Sequence, residues 1–475
     1  MTTHTLDPSA GVERFGYRQE LQRSLSFRDL VTYGLIFMVP IAPFGIFGSV
    51  FQASSGMVAL TYLLGMAAMM VTASSYGVMV RAYPMAGSVY SYAGRAIAPW
   101  FGFLSGWTIL LDYTLIPCLL SLVAAVSMTA VLPSIPAWIW LVAFVAVNVG
   151  INLAGIKSTR RVNTIALVAA LAVLALFVVT AVSALASGAG RGFSWEPLFS
   201  STQFQVGTLL TGMSVCMLSF LGFDAMSTLA EDVQGGPRKV SRGMVAALGI
   251  IGVLFIAQAM LAALLVPNPA TLIADGDPAG TAFYDAARVA AGPWLATVTA
   301  LATALAWGLS NNMVAQVATS RLLYAMARDR QLPSFLARVS VSRSVPVNGI
   351  LLTAALSLVL GLYMASRDDG ITVLSSLVNF GALLSFIVVH LSVLARNLRT
   401  DQPKVAGWWR SWVLPIAGVV ILVAVIVNAN ALAQTVGFIW LGIGVLVLIW
   451  LVATGRTPRL SGIGADEDYL AGHRG

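Results

Sequence analysis

Long apolar segments separated by short polar loops recur from residue 29 to residue 454. A helix rises 1.5 Å per residue, so about 20 apolar residues cross the hydrocarbon core of a bilayer. The pattern predicts an all-α membrane protein without a soluble domain. It has twelve expected transmembrane helices, at 29–51, 57–80, 98–129, 136–154, 162–187, 206–230, 240–266, 292–327, 346–365, 371–396, 412–430 and 435–454.

Two of these segments contain helix-breaking residues near their middle. The first is broken in residues 40–48, which include Pro40 and Pro43, and the second in residues 219–224, which end in Asp224. Lipid cannot satisfy free backbone N–H and C=O groups, so unwound backbone at this depth has to border a protein-lined cavity. Breaks at corresponding places in two halves of a chain are typical of a secondary transporter's binding site.

The spacing of the two breaks predicts an internal repeat. Five spans separate the start of the first broken segment from the second, and an odd number implies inverted topology. The expected units are a first repeat over 29–187, a second over 206–396 and two additional helices over 412–454.

Composition and charge support a polytopic membrane protein. The chain is 58% hydrophobic and 10% charged, whereas soluble domains carry about 25% charged residues. With cytoplasmic tails at 1–28 and 455–475, 24 of the 27 Lys and Arg residues face the cytoplasm, as the positive-inside rule requires. The net charge of +8 therefore reflects topology and contact with membrane lipid rather than nucleic-acid binding. The expected location is the cytoplasmic membrane.

Ionisable groups inside the predicted spans are few, and such groups are functional by default. Asp224 at the second break is the first candidate to bind a substrate amine or a proton, although it can instead cap the half-helix it begins. Asp112, beside Tyr113, is the second candidate, with a buried structural role as its alternative. Glu231 is a gate candidate or a surface partner of nearby basic residues. His390 is either a proton-coupling group or a hydrogen-bonded core histidine.

The remaining site candidates are backbone and aromatic groups at the breaks. Aromatic faces can bind an ammonium group, although packing or a belt position explains any single ring better; Phe220 and Phe223 are favoured because they flank the break. Three histidines, with no Cys or acid nearby in ligand spacing, argue against a catalytic metal site, and we expect no metal and no cofactor. The predicted substrate-binding set, besides Asp112, Tyr113 and Asp224, is Ile41, Ala42, Pro43, Phe44, Gly45, Phe220, Gly222, Phe223, Trp307 and Asn311.

Several motifs resemble those of the amino acid–polyamine–organocation permeases. They are SFLGFD at 219–224 with EDVQGGPRK at 231–239, YPMAGSVY at 83–90, and RLLYAMARDRQLP at 321–333. Within that superfamily, residues 107–117, 219–224 and 379–393 resemble the bacterial putrescine importers. The resemblance implies a leucine-transporter-like fold of two inverted five-helix repeats, and secondary uptake or exchange of a small amine-bearing solute.

The chain departs from the family pattern in the first broken span. Amino acid permeases usually carry a Gly-rich run there, whose N–H groups receive the substrate carboxylate. Here Pro43 removes one donor, which favours an amine without a carboxylate. The putrescine importers carry Asp where this chain has Gly45, which leaves the second amine of a diamine without that partner. Polyamine and amino acid both remain open as substrates. The fifth span has no Lys, where some proton-coupled relatives carry one, so the coupling ion is open.

Two other classes of protein fit the sequence less well. A channel needs a ring of filter groups, and an enzyme needs a nucleophile–base or metal constellation. Neither is visible in the sequence. The expected partners are a small-molecule substrate and lipid, with a homodimer left open.

Overall fold

The structure is a computed structural model that describes residues 25–84, 88–154, 160–230, 233–234, 236–328, 331–338, 345–399 and 405–454. The regular secondary structure of these residues is helical, apart from one isolated parallel bridge between Leu25 and Val233. The α-helices are α1 Phe27–Met38, α2 Ala42–Ala53, α3 Val58–Ala82, α4 Ser88–Ala96, α5 Pro99–Val131, α6 Ala137–Leu153, α7 Arg160–Ala186, α8 Val206–Cys216, α9 Pro237–Leu265, α10 Pro269–Asp275, α11 Ala282–Ala291, α12 Pro293–Leu305, α13 Asn312–Arg328, α14 Val347–Ala365, α15 Gly370–Leu398, α16 Leu414–Val427 and α17 Ala431–Ala453.

Every predicted span coincides, within four residues at each end, with a helix or an interrupted helix. In the described chain, ten helical spans are long and apolar enough to cross a membrane, and the bent pair α1–α2 makes an eleventh. The predicted fourth span is α6, a shorter apolar helix of 17 residues. An all-helical, multi-pass architecture is therefore confirmed, and the count of twelve crossings stays a prediction.

Helix α5 forms the centre of the bundle. Its most apolar stretch is 78% buried inside the protein, against 17% for the corresponding stretch of α17. It contacts α4, α6, α12, α13, α14, α15 and α17. A helix that is apolar on all sides belongs either in a core or against lipid, and these two helices show the two cases.

A pair of tryptophans fastens the peripheral helix α17 to α5. The rings of Trp107 and Trp440 stack with centroids 4.7 Å apart. Each indole Nε1–H donates to the other residue's backbone carbonyl at 2.8 Å. Gly444 permits this approach, because a Cβ there would lie 2.4 Å from the Trp107 ring. Buried indoles need such partners, so the pair fixes the position of the last helix.

The segment between α9 and α12 packs along α2. A Cβ on Gly48 would lie 2.1 Å from the Asp277 carboxylate, which shows how closely the two segments pack. Asp277 accepts hydrogen bonds from the backbone N–H groups of Thr281 and Ala282 at 2.9 and 3.1 Å. Burial raises the pKa of the Asp277 carboxyl above its ordinary value. The covering segment is thus tied at the start of α11.

Candidate functional site

The first broken span is the pair α1–α2, whose axes differ by 50°. The break occupies residues 39–41, where Val39 has a φ of 51°. It is shorter than the predicted 40–48, because Pro43, Gly45 and Gly48 all lie inside α2. Pro43 is in the first turn of α2, where the missing N–H has no helical partner to lose. The prediction of unwound backbone through residue 48 was therefore wrong.

The second broken span runs from α8 through irregular backbone. Helix α8 ends at Cys216 and is followed by the 3₁₀ segments Met217–Phe220 and Asp224–Leu229. Gly222 lies between them with a φ of +103°, a conformation that favours glycine. The break predicted at 219–224 is present, but non-α backbone extends on both sides of it.

The two breaks lie side by side. A Cβ on Gly222 would approach the carbonyl oxygen and carbon of Phe37 to 3.0 and 3.1 Å. Phe37 is in the last turn of α1, directly before the first break. The absence of a side chain on Gly222 therefore brings the two irregular backbones together, which the sequence pattern predicted.

Side-chain amides from unbroken helices complete the hydrogen bonding at the breaks. Gln258 of α9 donates to the carbonyl of Pro40 at 3.0 Å. Asn379 of α15 donates to the carbonyls of Ser214 and Val215 at 2.7 and 3.1 Å. An unsatisfied carbonyl in the membrane is costly, so these two residues stabilise the breaks. Neither was in the predicted site, although both are amides within apolar spans, a signal that could have found them.

A third irregularity interrupts the long span formed by α12 and α13. Residues Ala306–Asn311 form a π-helical turn, and such turns are frequent at functional sites. Asn148 of α6 donates to the carbonyl of Gly308 at 2.6 Å, and Asn312 donates to Ser121 of α5 at 2.7 Å. The sequence predicted only an unusually long helix here. The π turn places Asn311 beside Pro40 at the first break and Trp307 beside Gly45 of α2.

The predicted carboxyls are both buried, with Asp224 7% and Asp112 8% exposed. They are close enough for their charges to interact, and both act on the Tyr113 hydroxyl. Asp112 Oδ1 has no hydrogen-bond partner, whereas backbone N–H groups of Gly222 and Ala225 approach the Asp224 carboxyl. In the described chain neither carboxyl has a basic partner. The structure therefore places Asp112, Tyr113 and Asp224 within electrostatic range of one another.

Tyr92 of α4 is a neighbour of this pair that the sequence did not indicate. The Asp224 charge acts on its hydroxyl, and its ring meets Tyr76 of α3 edge-on at 6.2 Å. Phe223 joins the same group, 5.6 Å from Tyr76 and 5.3 Å from Phe386. Aromatic side chains therefore border the carboxyls on the α3, α4 and α15 sides.

The other predicted rings pack against aromatic neighbours. Phe220 lies 5.1 Å from Phe255, and Phe44 stacks on Phe283 of the covering segment at 3.9 Å. Phe44, Phe220 and Phe223 are at most 1% exposed. In this conformation each ring contributes to packing, which was the alternative that the sequence left open.

Gly45 and Trp307 meet on the other side of α2. A Cβ on Gly45 would lie 2.5 Å from Val123 Cγ1 and 3.4 Å from the Trp307 ring. Trp307 is 3% exposed, and its Nε1 has no acceptor. Ile41 and Ala42, at the start of α2, are also buried. The position where the resembling importers carry an acid is therefore enclosed by Val123 and Trp307.

A cavity of about 30 Å³ lies between the first break, α7 and the π turn, which is room for about one water molecule. Polar lining comes from Asn163, Ser310 and Asn311, and Pro40 borders it. In the described chain neither Asp112 nor Asp224 is among its lining residues. Asn311 is thus separate from the carboxyl pair.

The two remaining coupling candidates have different outcomes. His390 is fully buried, with Nδ1 2.8 Å from Ser75 Oγ and Nε2 3.3 Å from Thr72 Oγ1. A Cβ on Gly418 of α16 would overlap its ring. This environment suits a packed, hydrogen-bonded histidine, and a role in coupling stays a prediction. Glu231 lies outside the described residues.

The fold is that of a multi-pass helical membrane protein with two interrupted spans in contact beside buried carboxyls. Residues 30–454 match the family model described as amino acid permease, and the chain belongs to that family.

Named relatives extend the comparison. The chain is 32% identical over 455 residues to the low-affinity putrescine importer PlaP of Escherichia coli strain K12, covering 93% of this chain and 96% of that protein. It is 24% identical to the methylthioribose transporter of Bacillus subtilis and 22% identical to its branched-chain amino acid permease BcaP, each over 90% of this chain and 93% of the relative. The chain is a transporter rather than an enzyme.

Proposed function

We propose that the protein is a secondary transporter for a small amine-bearing solute, with a diamine such as putrescine as the leading candidate. The observation that carries the proposal is the contact between the two broken spans beside the buried pair Asp112 and Asp224. Buried charges need partners, and the described chain supplies none for this pair. A dicationic solute has the charge that would balance both.

Asp112 supplies what Gly45 lacks. The sequence left the second amine of a diamine without a partner, because Gly45 replaces the acid of the resembling importers. Val123 and Trp307 occupy the space beside Gly45, so an ammonium group cannot bind next to Gly45 without rearrangement. The second carboxyl is instead on α5, and it interacts electrostatically with Asp224. We infer that Asp224 and Asp112 bind one ammonium group each.

The start of α2 argues against a bound carboxylate. A helix N-terminus binds anions through its free N–H groups. Here the N–H groups of Ala42 and Phe44 are bonded to the carbonyls of Val39 and Ile41 at 2.8 and 3.0 Å, and Pro43 has none. Few donors therefore remain for the carboxylate of an amino acid.

The transport cycle would use alternating access. In the proposed arrangement of twelve spans, α1–α2, α3, the α8 span and α9 rock against the spans of α5, α6, α12–α13 and α14, as in inverted-repeat transporters. When the solute leaves, the carboxyls need protons or another cation in its place. This exchange of charge supports proton coupling or antiport.

Uptake into proteoliposomes tests the proposal. Asp224→Asn should abolish uptake of labelled putrescine. Asp112→Asn should weaken uptake of the diamine about ten-fold or more, as expected for losing a charge-assisted contact of 1.5–3 kcal/mol, and should affect a monoamine of equal length much less. Unchanged putrescine uptake by Asp224→Asn would contradict the proposal.

Amino acid exchange is the second candidate, because the relative BcaP is named a branched-chain amino acid permease. Competition separates the two candidates. If excess leucine or lysine blocks the uptake of labelled putrescine as strongly as excess unlabelled putrescine does, amino acid transport is favoured.

A further inference from the structure

An open groove of about 520 Å³ lies at the end of the bundle where Lys and Arg residues concentrate. It runs between the last turn of α3 and the residues that lead into α16. Its lining is Arg81, Val405, Ala406, Gly407, Trp409 and Arg410. This groove is separate from the residues of the candidate transport site.

The groove carries positive charge for which the described residues supply no acidic partner. Arg81 Nε donates to the Gly77 carbonyl at 2.8 Å, while Arg81 Nη2 is buried and has no hydrogen-bond partner among the described residues. Arg410 and Arg238 are near enough for their charges to act on Arg81. In the part of the chain that the structure describes, none of the three forms an ion pair. A buried guanidinium N–H without an acceptor is costly, so the groove suits an anion.

The rim of the groove is suited to lipid. Trp408 and Trp409 are 68% and 60% exposed, with ring centroids 6.2 Å apart. Exposed tryptophans are enriched where membrane meets water. Ala406 and Gly407 are small and leave the floor of the groove accessible. Basic pockets between helices at the cytoplasmic surface commonly bind lipid head groups.

We propose that this groove binds the phosphate of an anionic phospholipid, with Arg81 and Arg410 as its ligands and the two tryptophans beside its glycerol region. The lipid comes from the leaflet at the arginine-rich end, which the positive-inside rule predicts to be cytoplasmic. A guanidinium offers paired donors that match phosphate oxygens. The unpartnered Nη2 of Arg81 then has an acceptor.

Thermal unfolding of the full chain in neutral detergent tests the site. Phosphatidylglycerol should raise the unfolding temperature, whereas phosphatidylcholine at equal mole fraction should not. Arg410→Gln should weaken the apparent affinity for phosphatidylglycerol about five-fold, since each arginine near an anionic surface contributes about 1 kcal/mol. Arg81→Gln should weaken it at least as much. Because Arg410 is exposed, its variant should fold normally even if Arg81→Gln does not.

Arg338→Gln is the matched control. Arg338 is exposed and follows the short 3₁₀ segment Ser334–Ala337, which packs on α13 and α14 rather than at the groove. Its replacement removes the same charge and should leave the phosphatidylglycerol effect unchanged. If Arg338→Gln weakens the phosphatidylglycerol effect equally, that effect depends only on net charge and the proposal is overturned. Stabilisation by millimolar inorganic phosphate equal to that by phosphatidylglycerol would also overturn it, because the ligand would then be a soluble anion.

Discussion

Asn379 provides the most direct test of how the broken spans are stabilised. Its amide is 1% exposed and donates to the carbonyls of Ser214 and Val215, in the last turn of α8 before the second break. Asn379→Leu keeps a similar side-chain volume and removes both hydrogen bonds. The surrounding residues are buried, so water cannot readily replace the amide.

The expected cost follows from these two bonds. Interhelical hydrogen bonds in membranes contribute about 0.6 kcal/mol on average and up to about 1.7 kcal/mol. Leaving a buried acceptor unsatisfied costs about 1–3 kcal/mol. Asn379→Leu should therefore lower the free energy of unfolding by about 1–3 kcal/mol, measured by equilibrium unfolding in mixed micelles. Uptake should fall as well, because α8 leads into the candidate site.

Gln434→Leu is a suitable control for this variant. Gln434, in the first turn of α17, also donates to two carbonyls, those of Val427 and Ala429, at 2.8 and 2.9 Å. Unlike Asn379, it is partly exposed. Water can replace its amide, so the loss should stay within about 0.5 kcal/mol. If the two variants lose equal stability, the amide at Asn379 has no special relation to the broken span and the reasoning is refuted.

Three further predictions concern close packing and charge. Gly222→Ala should destabilise the protein by about 1–3 kcal/mol in the same unfolding assay, because its φ is +103° and the new Cβ would contact Phe37; a loss below 0.5 kcal/mol would argue against the close contact. Gly45→Ala should reduce uptake and stability, because the new Cβ would overlap Val123. Adding Val123→Ala should restore both. If it does not, overlap with Val123 is not the cause of the loss. Burial raises the pKa of the Asp277 carboxyl, so the folded state binds its proton more tightly than the unfolded state does. The free energy of unfolding should therefore fall as the pH rises above 3.8, the ordinary pKa of this side chain. Asp277→Asn should flatten that part of a stability–pH profile, and an unchanged slope would contradict the assignment.

The positions of the spans could be predicted because hydrophobic length is a local property of the sequence. Each of the twelve predicted segments is helical, with ends within four residues. The pairing of the breaks was also accessible, since glycine and proline mark irregular backbone locally. The short helices α4, α10 and α11 were not predicted, because their sequences are too polar or too brief to give a membrane signal.

The exact extent of each break was not accessible in the same way. Proline counts as a helix breaker in general, yet Pro43 begins a helix, and its position in the first turn depends on where the chain bends before it. The 3₁₀ segment after Asp224 contains no proline or glycine. Its geometry depends on contacts with α1 and α3, which are distant in sequence.

The supporting amides show a similar limit. Gln258, Asn379 and Asn148 each donate to a carbonyl more than 150 residues away. The sequence shows that a polar amide lies inside an apolar span, but it does not show which carbonyl lacks a partner. That pairing requires the three-dimensional arrangement of the breaks and the π turn. An amide in an apolar span is therefore a useful signal for a break elsewhere in the bundle.

The packing of the aromatic residues constrains how a solute can reach Asp112 and Asp224. Phe44, Phe220 and Phe223 are buried against other rings, and the cavity beside the first break has room for about one water molecule. Asp112 and Asp224 are themselves 8% and 7% exposed, so a solute has little access to either carboxyl in the described conformation. We expect opening to separate Phe44 from Phe283, or Phe223 from Tyr76 and Phe386, because these rings pack around the two breaks. The first separation moves α2 away from α11 of the covering segment, and the second moves the second broken span away from the continuous helices α3 and α15.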